Sequence, residues 1–231
     1  VRNYKPAYKF DPDGTFVAPN EFSAEQHDNQ TEDGTAHAQQ MIYYLFTNIK
    51  EAIDILNVLI RSDKESYEAY FLRGYAKLGL GDLVGAKADL TQALTINPVY
   101  TEAFHYRGIV YAEMGNYEDA ARDLSTAIEL RPDIVGSYYS RGVTHLRNKQ
   151  WVKSLVDFDR VLRFTDKDAQ THINRGIALL GTRDTLGAHE SFDKAIRTNR
   201  DYTEGYNQKA MLLMTEGRNE EALERLKKEI E

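Results

Sequence analysis

The sequence predicts an all-α fold in which antiparallel helix pairs stack into a solenoid, and three features indicate it. The same residue types return at a fixed interval along most of the chain, and one such interval is residues 101–134. Apolar residues recur every three or four positions, which is the period of an amphipathic α-helix. In residues 101–134, Gly115-Asn116 breaks this pattern and separates two helices, and Pro132 ends the second. Repeats of this kind bury their apolar faces only against neighbouring repeats.

Columns of recurring residues define the predicted core. Four glycines occupy the same position of successive first helices, each directly after an arginine: Gly74, Gly108, Gly142 and Gly176, after Arg73, Arg107, Arg141 and Arg175. The second helices carry two small-residue columns and one bulky column: Ala86, Ala120, Ser154, Ala188 and Ala222; Ala93, Ala127, Val161 and Ala195; Leu90, Leu124, Phe158, Phe192 and Leu226. A glycine inside a helix costs about 1 kcal/mol relative to alanine. Its retention therefore predicts that two helices approach closely at these positions.

The segment 1–32 differs from the rest of the chain. It contains three of the five prolines and five aromatic residues, and it shows no helical period. Two interpretations are open: an extended arm that packs against another surface, or a linker from a preceding domain. The predicted organisation is a non-repeat arm, residues 1–32, followed by a repeat array, residues 33–231, with repeats at 33–66, 67–100, 101–134, 135–168, 169–202 and 203–231.

The repeats resemble the tetratricopeptide repeat. Residues 101–134 match that family's pattern at every point: Phe104, Gly108, Tyr111, Ala120, Leu124, Ala127 and Pro132. Other repeats depart from it, with Lys77 at the second aromatic position, His172 at the first, and Asp166 and Arg200 at the proline. The resemblance implies a right-handed superhelix of six repeats, of which the first and last are divergent. The Arg-Gly pairs with a later aspartate resemble bacterial members of the family.

An ion-pair ladder is predicted between the two helices of each hairpin. Three of the arginines are followed at one fixed interval by an aspartate, which gives the pairs Arg73–Asp89, Arg107–Asp123 and Arg141–Asp157. The fourth, Arg175, meets Ser191 at this spacing, so we expect its partner to be another acid, Glu190. Because each arginine has its own recurring acid, a structural role is favoured over an anion-binding one.

The resemblance also implies a binding groove, since the first helix of each hairpin lines the concave side in this family. The groove columns are Phe71, His105, Tyr139 and Ile173, then Tyr75, Ile109 and Val143 one turn on, with Arg147 beside them. This surface is mainly apolar and aromatic, which suits an extended or helical peptide. The alternative is that these columns pack between adjacent first helices.

Composition excludes several classes of function. The net charge of −7, from 36 acidic and 29 basic side chains, disfavours a nucleic-acid partner. The absence of cysteine excludes disulfides and removes the usual ligands of structural zinc, and no histidine pair has metal spacing. No apolar stretch is long enough to span a membrane. The repeating residues form no catalytic set, so we expect no enzyme activity, no metal and no cofactor.

The leading hypothesis is a non-catalytic scaffold that binds a peptide or partner segment in an apolar and aromatic groove. The alternative is a targeting or regulatory segment of a larger enzyme or of a secretion or assembly machine. The chain starts at Val1, as expected either for a periplasmic or secreted protein after leader removal or for part of a longer one. The aromatic residues of the arm are candidates to occupy the groove of the same chain or of a neighbour, which would allow self-association.

Overall fold

A computed structural model describes residues 9–10, 16–17, 49–200 and 202–227. These described residues are all-α apart from one short hairpin, which the sequence pattern did not predict. Its strands β1 (Lys9–Phe10) and β2 (Phe16–Val17) are antiparallel, and Phe10 lies opposite Phe16. The other residues of the predicted arm, the boundary at residue 32 and most of the first repeat before Ile49 lie outside the described residues.

The chain divides into two compact units, an N-terminal unit (residues 19–132) and a C-terminal unit (residues 133–231 together with 1–18). The described part of the N-terminal unit contains α1 (Ile49–Ser62), α2 (Tyr67–Gly79), α3 (Leu83–Ile96), α4 (Thr101–Glu113) and α5 (Tyr117–Leu130). The described helices of the C-terminal unit are α6 (Val135–Arg147), α7 (Trp151–Phe164), α8 (Ala169–Gly181), α9 (Thr185–Thr198), α10 (Thr203–Thr215) and α11 (Asn219–Lys227). None of the helices described is long and apolar enough to cross a membrane.

Within each unit, a helix packs mainly against its neighbours in the sequence, as a stack of hairpins requires. The pairs α2–α3, α4–α5, α6–α7, α8–α9 and α10–α11 are each joined by a short turn. The turns need a residue with positive φ, which glycine supplies without strain at Gly81, Gly115 and Gly217. The two remaining turns place Lys149 and Arg183 in this conformation. The all-α arrangement of antiparallel helix pairs is therefore confirmed.

The glycine column allows the two helices of a pair to touch. A Cβ atom at Gly108 would lie 2.7 Å from Leu124 Cγ, and one at Gly142 would lie 2.7 Å from Phe158 Cε1. Both distances are shorter than two carbon atoms tolerate. Seven members of the bulky and small columns that surround the glycines are fully buried, at 0% exposure: Ala86, Leu90, Ala120, Leu124, Phe158, Ala188 and Phe192. Close packing thus offsets the low helix propensity of glycine.

Candidate protein-interaction surface

Five aromatic residues on α2 and α4 form a continuous cluster of contacting rings, which we call the aromatic strip: Tyr67, Phe71, Tyr75, Tyr100 and Tyr106. The first three follow one another at a spacing of four on α2, so they lie along one face of that helix. Tyr100 immediately precedes α4, and Tyr106 lies within it. Stacking of one hairpin on the next brings the two helices' rings together.

Edge-to-face contacts join the rings of the aromatic strip. The ring of Tyr100 lies 5.0 Å from that of Tyr67 and 5.1 Å from that of Phe71, at interplanar angles of 75° and 71°. The rings of Tyr75 and Tyr106 are 4.8 Å apart at 69°. These geometries are favourable for aromatic pairs and fix the rings in place. Tyr106 is buried at 3% exposure, whereas the other four residues are half-buried and present part of their surface to solvent.

Three tyrosines of the strip, Tyr67, Tyr75 and Tyr106, remain neutral at physiological pH. Burial raises the pKa of the Tyr67 phenol to about 12, and the carboxylates of Glu68 and Glu102 add to this shift. Burial likewise raises the pKa of Tyr75, and it raises that of Tyr106 well above its usual value. The strip is therefore an uncharged aromatic surface with phenol groups at its edges.

Two carboxylates border the Tyr67 end of the strip. Glu68 and Glu102 lie in the first turns of α2 and α4 and are half-buried. Burial raises the pKa of Glu102, and the positive charge of Arg131 opposes this. His105 lies behind the strip, 5.0 Å and nearly perpendicular to the Tyr106 ring, and burial lowers its pKa to about 4. His105 is therefore neutral and adds no positive charge.

The corresponding helices of the C-terminal unit carry a hydrogen-bonded polar chain instead: Tyr139, Asn174, Gln170 and Tyr202. Asn174 Nδ2 donates to the Tyr139 hydroxyl at 3.0 Å, and Gln170 Nε2 donates to Asn174 Oδ1 at 3.2 Å. The Tyr202 hydroxyl donates to Gln170 Oε1. These polar groups are satisfied by one another, and Tyr139 and Asn174 are buried, so these helices differ chemically from those that carry the aromatic strip.

The predicted groove residues are placed differently from one another. Phe71 and Tyr75 belong to the aromatic strip, and Ile109 and Val143 are also half-buried. Arg147 is exposed. Three others are buried and present almost no surface: His105 at 2%, Tyr139 at 6% and Ile173 at 1% exposure. Packing between adjacent helices, the alternative left open by the sequence, therefore describes these three.

The three arginine–aspartate pairs are present as two-point ion pairs within their hairpins. Arg73 donates to Asp89 at 2.8 and 2.6 Å, and Arg107 donates to Asp123 at 2.6 and 2.9 Å. The third pair, Arg141 with Asp157, has distances of 3.0 and 2.7 Å. The aspartates are 4%, 6% and 2% exposed, and each arginine also stacks over an aromatic ring of its own helix: Tyr70, Phe104 and Tyr138. The ion-pair ladder thus joins the two helices of each of these three hairpins through buried aspartates.

The expected partner of Arg175 was wrong. Glu190 is exposed on α9, and Arg175 Nε instead donates to Asp159 on the preceding hairpin at 2.7 Å, while its Nη1 donates to the Ser191 hydroxyl at 2.8 Å. Ser191 has no charge to balance the guanidinium of Arg175, so the acidic partner, Asp159, comes from the preceding hairpin.

A second column of polar residues explains why Arg175 pairs with Asp159. Its members lie on the helix that comes before the helix carrying each arginine or lysine. Arg73 donates to Asn57 at 2.8 Å, and Lys209 contacts Asp193 at 2.9 Å. The members of this column occupy the same position in successive repeats: Asn57, Thr91, Ser125, Asp159 and Asp193. This regular spacing is the sequence pattern from which Asp159 could have been predicted as the partner of Arg175. Lys77, which replaces an aromatic residue of the family pattern, makes a second ion pair with Asp89 at 2.8 Å.

The described residues contain no group of three histidine, aspartate or glutamate side chains that could hold a metal ion. Stacked α-hairpins of this kind define the class of helical repeat proteins. A model described as "Tetratricopeptide repeat" matches residues 67–100, and one described as "TPR repeat" matches residues 110–149. The chain therefore contains tetratricopeptide repeats over these residues, which supports a protein-interaction scaffold.

Solved structures share this fold. MamA from Desulfovibrio magneticus RS-1 is 20% identical over 71% of this chain and 93% of its own, with a TM-score of 0.66. A tetratricopeptide repeat protein from Parabacteroides merdae is 19% identical over 84% and 78%, with a TM-score of 0.70. YrrB, described as having an unusual peptide-binding site, is 19% identical over 76% and 90%, with a TM-score of 0.63. At these identities the similarity establishes the fold. No curated protein sequence shows significant similarity to the chain.

Proposed function

We propose that the chain is a non-catalytic scaffold that binds an extended or helical segment of a partner protein on the aromatic strip. The observation that supports this most strongly is the continuity of the strip. Four of its five rings are half-exposed and fixed by edge-to-face contacts in an otherwise well-packed helix stack. Rigid aromatic side chains lose little entropy on binding and are the commonest anchors at interfaces.

The chemistry of the strip favours protein over nucleic acid. The net charge of −7 opposes binding to phosphate backbones, which depends on clustered basic side chains. The polar chain of the C-terminal unit has its hydrogen-bonding groups engaged internally. The aromatic strip is therefore the surface on which we place the partner.

A peptide display selection on the full chain tests this function. Peptides selected with the wild type are measured against Phe71→Ala/Tyr75→Ala and against a control, Val84→Ala/Val152→Ala. The control residues are each 68% exposed and lie on second helices, outside the strip. Loss of central aromatic anchors typically costs about 2 kcal/mol or more, so we expect at least a roughly 30-fold weaker Kd for the strip variant.

The control variant should bind like the wild type, and thermal unfolding by circular dichroism verifies that both variants fold. Selected peptides that bind the strip variant as tightly as the wild type would contradict the proposed function. The same is true if the selection yields no peptide sequence that the wild type binds.

The occupancy of the groove by the chain's own arm also remains a prediction. Residues 1–32 contain Tyr4, Tyr8, Phe10, Phe16 and Phe22, which resemble the anchors that the strip would accept. Deleting residues 1–32 should change the oligomeric state, measured by light scattering, or the exposure of the groove tyrosines. No change in either quantity would count against it.

A further inference from the structure

Negatively charged side chains border one end of the aromatic strip, the end at Tyr67. Glu68 and Glu102 both border its Tyr67 end, and the negative field of Glu102 reaches the phenols of Tyr67 and Tyr106. Arg131 is the basic group that acts on Glu102. His105, which packs behind the strip, is neutral. The carboxylates of Glu68 and Glu102 thus place negative charge at the Tyr67 end of the strip.

Aromatic faces add to the same preference. The face of a phenyl or phenol ring carries partial negative charge and attracts ammonium and guanidinium groups within about 6 Å. The chain itself uses this interaction, since Arg73 lies 5.5 Å from the centre of the Tyr70 ring and Arg160 lies 5.0 Å from that of Phe164. A cation at the Tyr67 end would meet ring faces and carboxylates together, whereas an anion would be repelled by both.

We infer that the partner segment bound on the aromatic strip carries lysine or arginine side chains next to its aromatic or apolar anchors. This inference rests on the proposed function and specifies the chemistry of its partner. The anchors pack on the half-exposed rings of Phe71 and Tyr75. The basic side chains lie toward Tyr67, where Glu68 and Glu102 accept their hydrogen bonds.

Three matched probe peptides separate charge from apolar anchoring. Their sequences are AKFAKYAKF, AQFAQYAQF and AEFAEYAEF, each labelled with an uncharged dye, and their Kd for the full chain is measured by fluorescence anisotropy. In about 50 mM salt, where exposed charges are weakly screened, we expect the lysine probe to bind at least ten times more tightly than the glutamate probe, with the glutamine probe between them. In about 500 mM salt this difference should shrink to about threefold or less, because salt screens exposed charges.

Two double variants locate the charge effect. Glu68→Gln/Glu102→Gln should reduce the lysine–glutamate difference to about threefold or less at low salt. Glu118→Gln/Glu129→Gln removes the same net charge from exposed positions of α5 in the same unit and should keep most of the difference. If the first variant fails to fold by circular dichroism, the single variants Glu68→Gln and Glu102→Gln and the salt titration of the wild type provide the same comparison.

The outcomes distinguish this inference from the proposed function. If Phe71→Ala/Tyr75→Ala weakens all three probes but the wild type binds them equally, the inference is wrong and the proposed function stands. The inference is also overturned if the lysine–glutamate difference survives Glu68→Gln/Glu102→Gln, whether or not Glu118→Gln/Glu129→Gln changes it. If Phe71→Ala/Tyr75→Ala leaves the binding of every probe unchanged, both the proposed function and the inference fail.

Discussion

The ion-pair ladder yields a sharp prediction, because the same chemical change should have different effects at two of its positions. Asp123→Asn and Asp159→Asn each replace a carboxylate with an amide of the same shape. Asp123 pairs with Arg107 within one hairpin, and the two side chains are only 8% and 17% exposed. Asp159 pairs with Arg175 across hairpins, and these side chains are 47% and 29% exposed.

Burial sets the magnitudes. In Asp123→Asn, the guanidinium of Arg107 loses its charged partner and keeps, besides the amide, a long contact of 3.4 Å to the Thr91 hydroxyl. Removing one member of a buried pair costs about 3–5 kcal/mol, and we expect the lower end because the amide still accepts a hydrogen bond. In Asp159→Asn, Arg175 keeps its 2.8 Å bond to Ser191 and is better solvated, so the cost should not exceed about 1 kcal/mol.

The assay is urea unfolding followed by circular dichroism, combined with amide hydrogen exchange. Stacked repeats do not always unfold in a single step. The exchange data therefore show whether the loss of protection in Asp123→Asn is centred on α4 and α5, as the ladder requires. Equal destabilisation by the two substitutions, or a larger effect of Asp159→Asn, would refute the argument from burial.

Three further predictions follow from packing and burial. Gly108→Ala should lower the free energy of unfolding by about 1–3 kcal/mol, since its Cβ would enter a core leucine, whereas Gly79→Ala, whose Cβ has ordinary contacts, should leave stability unchanged or raise it. The pKa of His105 is about 4, below the 6.5 of an unfolded imidazole, so the unfolded state takes up the proton first as pH falls. Unfolding titrations should therefore show that the wild type loses up to about 3 kcal/mol more than His105→Phe between pH 6.5 and 4, and identical pH profiles would contradict this. Gly181→Ala would overlap the indole of Trp151, the single tryptophan, so it should shift the tryptophan emission maximum, and an unchanged spectrum would argue against this contact.

The sequence predicted the helix pairs and their core because both follow from one period. A residue type that returns at a fixed interval must occupy the same environment in every repeat. Gly108 and Leu124 illustrate this, because the absence of a side chain at Gly108 leaves the space that the Leu124 side chain fills. The ion pairs inside each hairpin follow from the same logic, because one constant interval along the chain separates two facing positions of a hairpin.

Features that depend on contacts between successive hairpins were harder to predict. Tyr67, Tyr100 and Tyr106 occupy three different columns, so no single periodic pattern groups them with Phe71. They meet only because one hairpin stacks on the next. Asp159 was missed for a related reason, as its arginine lies between two second helices and takes its acid from the preceding one.

The most direct test of the central claim is an NMR measurement of the aromatic ring resonances during titration with a selected peptide. If the aromatic strip is the binding surface, the ring signals of Phe71 and Tyr75 should shift with the peptide concentration, and the Trp151 signal should stay in place. Shifts confined to Trp151 or to the exposed Phe164, both on the second helix α7, with Phe71 and Tyr75 unaffected, would contradict the account.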